Sequence, residues 1–303
     1  MTPLPPGKNL ALVSIGLPTY NRATLLPKAI DALLNQTYKN IELIVSDNAS
    51  SDDTEKIMET YANRDHRIRY IRQKQNIGGN PNHEFVVKQA KGEYFMWVSD
   101  DDWWDKRFVE ELTNALESNP DFGVAMSHYI MRYVKDGVPI RDEERTHDLT
   151  SASYQDNFKM HFRGKKGPIF FFGLYRTSFL KKILKRPFKA TMHGPLLFLS
   201  EVALSAKMYS VPKVLHTRFQ DIRSRLERHP DHPHTLIEHG NFPVTQYIFT
   251  VFIWIWTSSE IAFKRKFLML KPWSRRVLIK KRKIAMEFWR FFSKKFLPFN
   301  KNT

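Results

Sequence analysis

Three adjacent aspartates, Asp100, Asp101 and Asp102, follow directly on an apolar, strand-like stretch from Tyr94 to Ser99. Neighbouring negative charges repel one another, and removing any of them from water is costly unless a partner neutralises it. The run is therefore either a solvated turn or a place where a cation binds. Which of the two applies depends on the elements that surround it.

Three more polar segments, PTYNR, SDNAS and NIGG, come after or between apolar runs upstream of the aspartates. The apolar runs alternate with segments of helical periodicity. We predict strands at 11–17, 41–46, 68–71 and 94–98, and helices at 24–36, 53–62 and 84–90.

Strands separated by helices indicate right-handed βαβ units and a mostly parallel sheet covered by helices on both faces. Ligands of such sheets bind beyond the carboxyl ends of the strands. The four polar segments are therefore expected to meet at one edge of the sheet. The middle of the chain is less regular: we predict strands at 124–127 and 169–175, a helix at 196–206, and an irregular loop or insertion at 136–168.

The 303-residue chain carries a net charge of +17, and residues 261–303 hold fourteen lysines and arginines but one acid, Glu287. This segment therefore contributes +13 and predicts an anionic partner, either a membrane surface or nucleic acid. The chain contains no cysteine, which excludes disulfides, thiolate metal sites and a cysteine nucleophile. Neither a signal peptide nor an apolar run of about 20 residues is recognisable.

The C-terminal region combines these cations with apolar residues at helical spacing. The run YIFTVFIWIW, residues 247–256, is too short to span a bilayer as a helix. A following basic helix with Trp and Phe on one face is typical of helices that lie in a membrane surface, and a helical hairpin packed on the main domain is the alternative. No nucleic-acid recognition motif is present. The apolar positions of this helix are Val277, Leu278, Ile284, Ala285, Phe288, Trp289, Phe291, Phe292 and Phe296.

The motifs PTYNR, SDNASSDDT, NIGG and SDDDWW, in this order and spacing, resemble the family 2 glycosyltransferases of the GT-A fold. The resemblance is firm over residues 12–130 and weaker over 201–218. It implies a metal-dependent, inverting transfer of a sugar from a nucleotide diphosphate, preferably a UDP-sugar. The acceptor would be a hydroxyl of a glycan or of a lipid-linked molecule.

The resemblance also implies a donor site around the nucleotide. Tyr20 can pack on the base or ribose, Asp47 can accept from a base N–H, and the glycines allow close approach of the backbone. Asn48 departs from the acid that is commoner at its position. The implied donor site comprises Pro18, Thr19, Tyr20, Asn21, Asp47, Asn48, Asn76, Gly78, Gly79 and Asp100.

A Mn²⁺ or Mg²⁺ ion, which prefers oxygen ligands, would offset the charge of the departing diphosphate. The resemblance implies Asp101 as the direct ligand, Asp100 nearer the ribose or sugar, and Asp102 nearby. The family's usual motif would begin with an acid at Ser99, so SDDD departs from it. One of the two tryptophans that follow is expected in the core.

An inverting transferase needs a base that deprotonates the acceptor hydroxyl. The acid that relatives carry before a late helix coincides here with Pro195. His193 is the nearest residue able to act as the base, and Glu201 is the next.

One other function is compatible with the residues, and a second fits them less well. A degenerate transferase scaffold could act as a membrane- or nucleic-acid-binding protein, whereas a nucleotidyltransferase would need a Gly-rich basic loop that PTYNR does not resemble. We predict a transferase domain at 1–240, divided into a donor half at 10–130 and an acceptor half at 130–240, and a helical tail at 241–303. The expected location is the cytoplasmic face of a membrane, as a peripheral protein.

Overall fold

A computed structural model of the protein describes residues 10–162, 170–188, 194–223 and 243–296. Its first part alternates strands and helices as predicted. The elements are β1 (Val13–Thr19), α1 (Leu26–Leu34), β2 (Ile41–Asp47), α2 (Thr54–Arg64), β3 (Ile68–Arg72), α3 (Gly79–Gln89), β4 (Tyr94–Trp97), β5 (Trp103–Trp104) and α4 (Phe108–Glu117).

The second part adds longer strands and the C-terminal helices. The elements are β6 (Phe122–Lys135), β7 (Val138–Arg145), α5 (Tyr154–Phe162), a 3₁₀ turn (Phe170–Phe172), β8 (Leu174–Arg176), α6 (Thr177–Ile183), α7 (Gly194–Ser205), β9 (Lys207–Asp221), α8 (Pro243–Trp256), α9 (Phe263–Lys266), a 3₁₀ turn (Phe267–Met269) and α10 (Leu270–Phe296).

The strands form one sheet in the order β3-β2-β1-β4-β8-β6-β9-β5, with β7 paired to β6. Strands β3, β2, β1 and β4 are mutually parallel, as are β6 and β9, whereas β8 runs antiparallel to both β4 and β6. The register places Thr19 opposite Asp47, and Asp47 opposite Arg72. Three polar side chains therefore stand level at the carboxyl edge of the sheet.

The sheet is covered on both faces, which explains why its central strands are apolar almost throughout. Along β4, Phe95 and Trp97 belong to one buried cluster, and Tyr94 and Met96 belong to the other. Gly16 of β1 allows α3 and β4 to pack closely on it, because a Cβ at this position would lie 2.8 Å from Val86 of α3 and 2.6 Å from the Phe95 ring of β4. The strands whose carboxyl ends form this edge of the sheet are therefore closely packed.

Three elements differ from the sequence prediction. Helix α3 begins at Gly79 rather than near 84, since Gly78 adopts a φ of 88° and Pro81 falls in the first turn, where its missing N–H is tolerated. The predicted irregular segment 136–168 contains β7 and α5. The strand predicted at 169–175 is a 3₁₀ turn followed by the short β8.

The C-terminal helices are packed against the body of the protein. Val251, Trp254 and Ile255 of α8 are buried in the same cluster as Trp97. Glu287 of α10 accepts hydrogen bonds from the backbone N and the hydroxyl of Thr245 at the start of α8. Helix α8 thus packs on the main domain, whereas several predicted apolar positions of α10 are exposed. Within the described ranges, no helix combines the length and the apolar character that crossing a membrane requires.

Candidate active site

The loops that follow β1 and β2 are bound to each other by side-chain to backbone hydrogen bonds. Ser50 Oγ accepts from the Asn21 N–H at 2.8 Å, and Asn21 Oδ1 accepts from the Ser51 N–H at 2.8 Å. Asp52 accepts from the Ala23 N–H at 3.0 Å. Asn21 has a φ of 53°, a left-handed conformation that asparagine tolerates better than most residues. These contacts fix the shape of the segment that contains the exposed Tyr20.

Asp47 lies at the end of β2 and is fully buried. One oxygen accepts from the N–H and hydroxyl of Ser50, at 2.9 and 2.5 Å. The other accepts from the Tyr70 hydroxyl at 2.9 Å and from Arg72 Nη1 at 3.3 Å. Four donors fill the acceptor capacity of a carboxylate. The predicted contact between Asp47 and a base N–H therefore does not fit this geometry, and Asp47 instead orients its neighbours.

Tyr70 and Arg72 were not among the predicted site residues. Both stand at the end of β3, beside Asp47, and Arg72 also pairs with Glu55 at 3.1 Å. Burial and the bond to Asp47 raise the pKa of Tyr70, which stays a neutral donor. One feature of the sequence could have identified them: Tyr70 lies at the carboxyl end of the third predicted strand, and Arg72 follows that strand directly.

The NIGG loop is attached to the end of β2 by two asparagines. Asn48 Nδ2 donates to Asn76 Oδ1 at 2.8 Å, and Asn48 Oδ1 accepts from the Ile77 N–H at 2.8 Å. The positive φ of Gly78 favours glycine. A Cβ at Gly79 would meet no protein atom within 4 Å, so the space beside this residue is open. Asn48 thus provides both a donor and an acceptor, which an aspartate could not do.

The three aspartates point in different directions. Asp100 is 8% exposed, accepts from Thr19 Oγ1 at 3.2 Å and lies 3.6 Å from Arg22 Nε. Asp101 is exposed and accepts from Ser99 Oγ. Asp102 is 2% exposed and lies 3.0 Å from His216 Nε2. The segment is therefore not a simple solvated turn.

Asp100 is destabilised as a carboxylate in this environment. Burial raises its pKa to about 6, Arg22 opposes the rise, and the Asp101 charge adds to it. A raised pKa is expected for a buried acid when desolvation outweighs the attraction of a neighbouring cation. A cation near Asp100 and Asp101 would remove this penalty.

No group of three or more His, Cys, Asp or Glu side chains converges on one point in the described part of the chain. Asp102 also lines the cavity beside the aspartates, but it fits a metal ligand less well than Asp100 and Asp101, because each of its oxygens already has a partner, His216 or the Phe219 N–H. The two remaining carboxylates fit a Mg²⁺ or Mn²⁺ ion that takes its other ligands from phosphates and water. They do not fit a cage built from protein ligands alone.

A cavity of about 680 Å³ opens beside the aspartates, between α1 and β9. Trp103, which is 42% exposed, and Arg218 and Lys28 line it together with Asp100 and Asp101. Trp104 is instead buried, with its ring stacked on His216 at 4.0 Å between centroids. One tryptophan is thus in the core, as expected, and the other faces the cavity.

The two predicted bases have different outcomes. His193 lies outside the described residues. Glu201 has no exposed surface; its oxygens accept from Trp254 Nε1, at 2.8 Å, and from Ser258 Oγ, and Arg186 lies 3.7 Å away. Burial raises the pKa of Glu201. This carboxylate joins α7 to α8, and an acceptor hydroxyl cannot reach it in this conformation.

The family model described as glycosyl transferase family 2 matches residues 14–184, more than half of the chain. The chain therefore belongs to this family.

Curated relatives match the chain over its first part. A GalNAc(5)-diNAcBac-PP-undecaprenol beta-1,3-glucosyltransferase of Campylobacter jejuni is 42% identical over 91 residues, 30% of this chain and 29% of the relative. Glycosyltransferase GlyG of Streptococcus pneumoniae is 30% identical over 126 residues, 42% of each chain. The matched region thus spans less than half of either relative.

Solved structures share the fold over a larger part of the chain. TarS 1-349 of S. aureus in complex with UDP-GlcNAc has a TM-score of 0.66 at 17% identity and covers 94% of this chain and 76% of its own. A mannosyltransferase of Pyrobaculum calidifontis, in complex with GDP-Man and Mn²⁺, has a TM-score of 0.52 at 14% identity, with 94% and 81% covered. These similarities support the predicted GT-A-type α/β fold.

Proposed function

We propose that the protein transfers a sugar from a nucleotide diphosphate, preferably a UDP-sugar, to a hydroxyl of a glycan or of a lipid-linked acceptor. The observation that carries the proposal is the contact of four loops at one edge of the sheet. Asn21 meets Ser50, Asn48 meets Asn76, and Thr19 meets Asp100. The carboxylates of Asp100 and Asp101 lie at this junction beside a cavity.

The comparisons support parts of this proposal. Structures of TarS are in complex with UDP and with UDP-GlcNAc, which favours UDP as the nucleotide. The name of the Campylobacter relative specifies a PP-undecaprenol acceptor, which favours a lipid-linked substrate. Neither comparison favours the alternative of a binding protein without activity.

Asp101, with Asp100, would hold Mn²⁺ or Mg²⁺, which when bound offsets negative charge on the departing diphosphate. Tyr20, 41% exposed, would pack on the base or ribose. Pro18 and Asn21 would shape this loop, and Gly78 and Gly79 would let the protein backbone approach the nucleotide closely. Asp47 would act by orienting Arg72 and Tyr70 toward the donor rather than by touching it.

The transfer would invert the anomeric configuration, with His193 as the candidate base for the acceptor hydroxyl. His193→Ala should then lower transfer by about 10² or more and leave UDP binding unchanged, because a base acts on the acceptor. Unchanged transfer in this variant would remove His193 from the mechanism.

Calorimetric titration of the full chain with UDP, GDP and dTDP, each with and without Mn²⁺, tests the donor site. We expect UDP to bind most tightly, only with the metal, and Asp101→Ala to lose this binding. Asp121→Ala is the matched control, since Asp121 is 80% exposed and directly precedes β6, at the edge of the sheet opposite the four loops. If none of the nucleotides binds to the folded wild type, the proposed donor site is wrong.

We also propose that the C-terminal region attaches the protein to the cytoplasmic face of an anionic membrane, as a peripheral protein. The net charge of +13 over residues 261–303 supports this. Aromatic side chains are exposed in and directly before this segment: Trp256 is 39%, Phe263 67%, Phe267 47% and Trp289 68% exposed. Such aromatic residues favour the membrane interface.

A further inference from the structure

A second cavity, of about 400 Å³, lies between α5 and the beginning of α10. It shares no residue with the cavity beside the aspartates. Four cations line it, Lys159 of α5 and Lys271, Arg275 and Arg276 of α10. Apolar surface from Phe162 and Ile279 completes the wall. The cavity is thus both cationic and apolar.

The cations on α10 are arranged unfavourably for the helix itself. Lys271, Arg275 and Ile279 follow one another at intervals of four residues, so they lie on one face, and like charges at this spacing destabilise a helix. Lys271 also lies in the first turn, which contains no acid, where the helix dipole disfavours a cation. A bound anion would relieve both effects.

The protein supplies little negative charge to this cavity. Lys159 pairs with Asp156 at 2.9 Å, but Lys271 and Arg275 form no ion pair within the ranges that the structure describes. Glu287, the acid closest along α10, is buried and accepts both hydrogen bonds from Thr245. The positive charge of the cavity is therefore available to a ligand.

Packing between aromatic and cationic side chains positions the inner wall of the cavity. The guanidinium of Arg276 lies 5.7 Å from the centroid of the Phe162 ring. Phe162 is buried and stacks on Tyr247 of α8, with the centroids 6.1 Å apart. One cation is thus fixed over an aromatic surface, while Ile279 at the opposite end is 65% exposed.

We propose that this cavity binds the phosphate headgroup of an anionic membrane lipid, which rests on the membrane association proposed above. Lysine and arginine side chains are suited to a phosphate group. A free phosphate would use the cations but not the apolar wall, whereas a lipid would use both. Phe263 and Phe267, eight and four residues before Lys271, are exposed and would add apolar contacts with a membrane.

The test compares two variants of the full chain that change charge equally on the same helix. The cavity variant, Lys271→Glu with Arg275→Glu, reverses two of the four charges that line the cavity. The control variant is Lys280→Glu with Lys283→Glu, because neither lysine lines the cavity. Binding is measured by co-sedimentation with vesicles of phosphatidylcholine, with and without 20 mol% phosphatidylglycerol (about one lipid in five). Binding of dihexanoyl phosphatidylglycerol below its micelle concentration, and of inorganic phosphate, is measured by calorimetry.

We expect the wild type to bind the phosphatidylglycerol vesicles and the short-chain lipid. The cavity variant should bind both at least tenfold more weakly, and the control variant should retain binding of the short-chain lipid. Equal losses in the two variants would overturn the site, since only general attraction between charges would remain. Inorganic phosphate binding as tightly as the short-chain lipid would overturn the assignment to a lipid.

The outcomes also separate this inference from the proposals on which it rests. A wild type that binds no vesicle contradicts the membrane association, and failure to bind the short-chain lipid contradicts the cavity itself. Metal-dependent UDP binding is expected to be unchanged in both variants, because no cavity residue lies in the four loops. That measurement also shows that each variant is folded.

Discussion

Nε2 of His216 lies 3.0 Å from Oδ2 of Asp102, although the two residues are 114 positions apart in the chain. The same carboxylate accepts from the Phe219 N–H at 3.1 Å, and the imidazole stacks on Trp104. Asp102 therefore attaches the loop after β4 to β9. Adjacent identical residues thus have different environments, although all three line the cavity: Asp102 is bonded to β9, Asp100 to Thr19, and Asp101 is exposed.

Asp102→Ala should destabilise the fold and Asp101→Ala should not. Removing the buried Asp102 leaves the His216 and Phe219 donors without an acceptor, which we expect to cost about 2–4 kcal/mol. Asp101 is exposed, so its replacement should change the free energy of unfolding by less than about 0.5 kcal/mol. Urea unfolding without ligands measures both. A stable Asp102→Ala protein that has lost metal-dependent UDP binding would return Asp102 to the metal site.

The two neighbouring tryptophans should also separate stability from activity. Trp104→Ala removes a buried ring and should destabilise the protein by about 3–5 kcal/mol. Trp103→Ala, at the cavity wall, should leave the free energy of unfolding nearly unchanged. It should lower the rate at which UDP is released from the sugar donor by about tenfold, which corresponds to a loss of about 1.4 kcal/mol of interaction free energy. UDP binding should persist in Trp103→Ala. An unchanged rate would show that the cavity takes no part in the transfer.

The sequence predicted the parallel part of the sheet and the meeting of its loops, because these depend on local patterns. Alternating apolar runs, helical periodicity and polar strand ends placed β1 to β4 and their loops within a few residues. The family resemblance added the prediction that the site binds a sugar nucleotide. The roles of single residues were harder, since Asp47 and Asp102 are defined by partners on other strands.

The errors lie where distant segments decide the structure. The pairing of β6 with β9 joins residues about 85 apart, so neither strand's full length was visible in its own sequence. Glu201 was predicted as a candidate base because its hydrogen-bond partners, Trp254 and Ser258, are distant in the chain and cannot be identified from the residues around it. The apolar run of α8 could not be assigned to core or membrane until the surface it covers was known.

Replacing Glu201 tests whether it is structural. In Glu201→Gln, the amide can still accept from Trp254 Nε1 and can donate to Ser258 Oγ, so we expect a modest loss of stability. In Glu201→Ala, both buried donors lose their acceptor, which should cost about 3–5 kcal/mol. UDP release by Glu201→Gln should stay within about threefold of the wild type. A fall of about 10² or more, with UDP binding intact, would instead identify Glu201 as the base.

His161 should make the protein sensitive to acid. Its Nε2 lies 2.9 Å from the carbonyl oxygen of Leu196, which joins α5 to α7, and burial lowers the pKa of His161 from 6.5 to about 4. At a pH between these two pKa values, His161 binds a proton in the unfolded chain but not in the folded protein. The contribution of neutral His161 is therefore fully present above pH 6.5 and is lost as the pH falls toward 4. Between pH 7 and pH 5 the loss should be about 2 kcal/mol.

His161→Gln should remove this part of the pH dependence, because the amide can still donate to the Leu196 carbonyl but does not titrate in this range. Burial also lowers the pKa of His147 to about 4, so the variant should keep a weaker dependence rather than none. The free energy of unfolding, measured by urea at pH 7 and pH 5, gives both slopes, and His66→Gln at an exposed position is the control. If the free energy of unfolding falls equally from pH 7 to pH 5 in His161→Gln and in the wild type, His161 is protonated in the folded protein at pH 5. The bond to Leu196 would then not require a neutral imidazole.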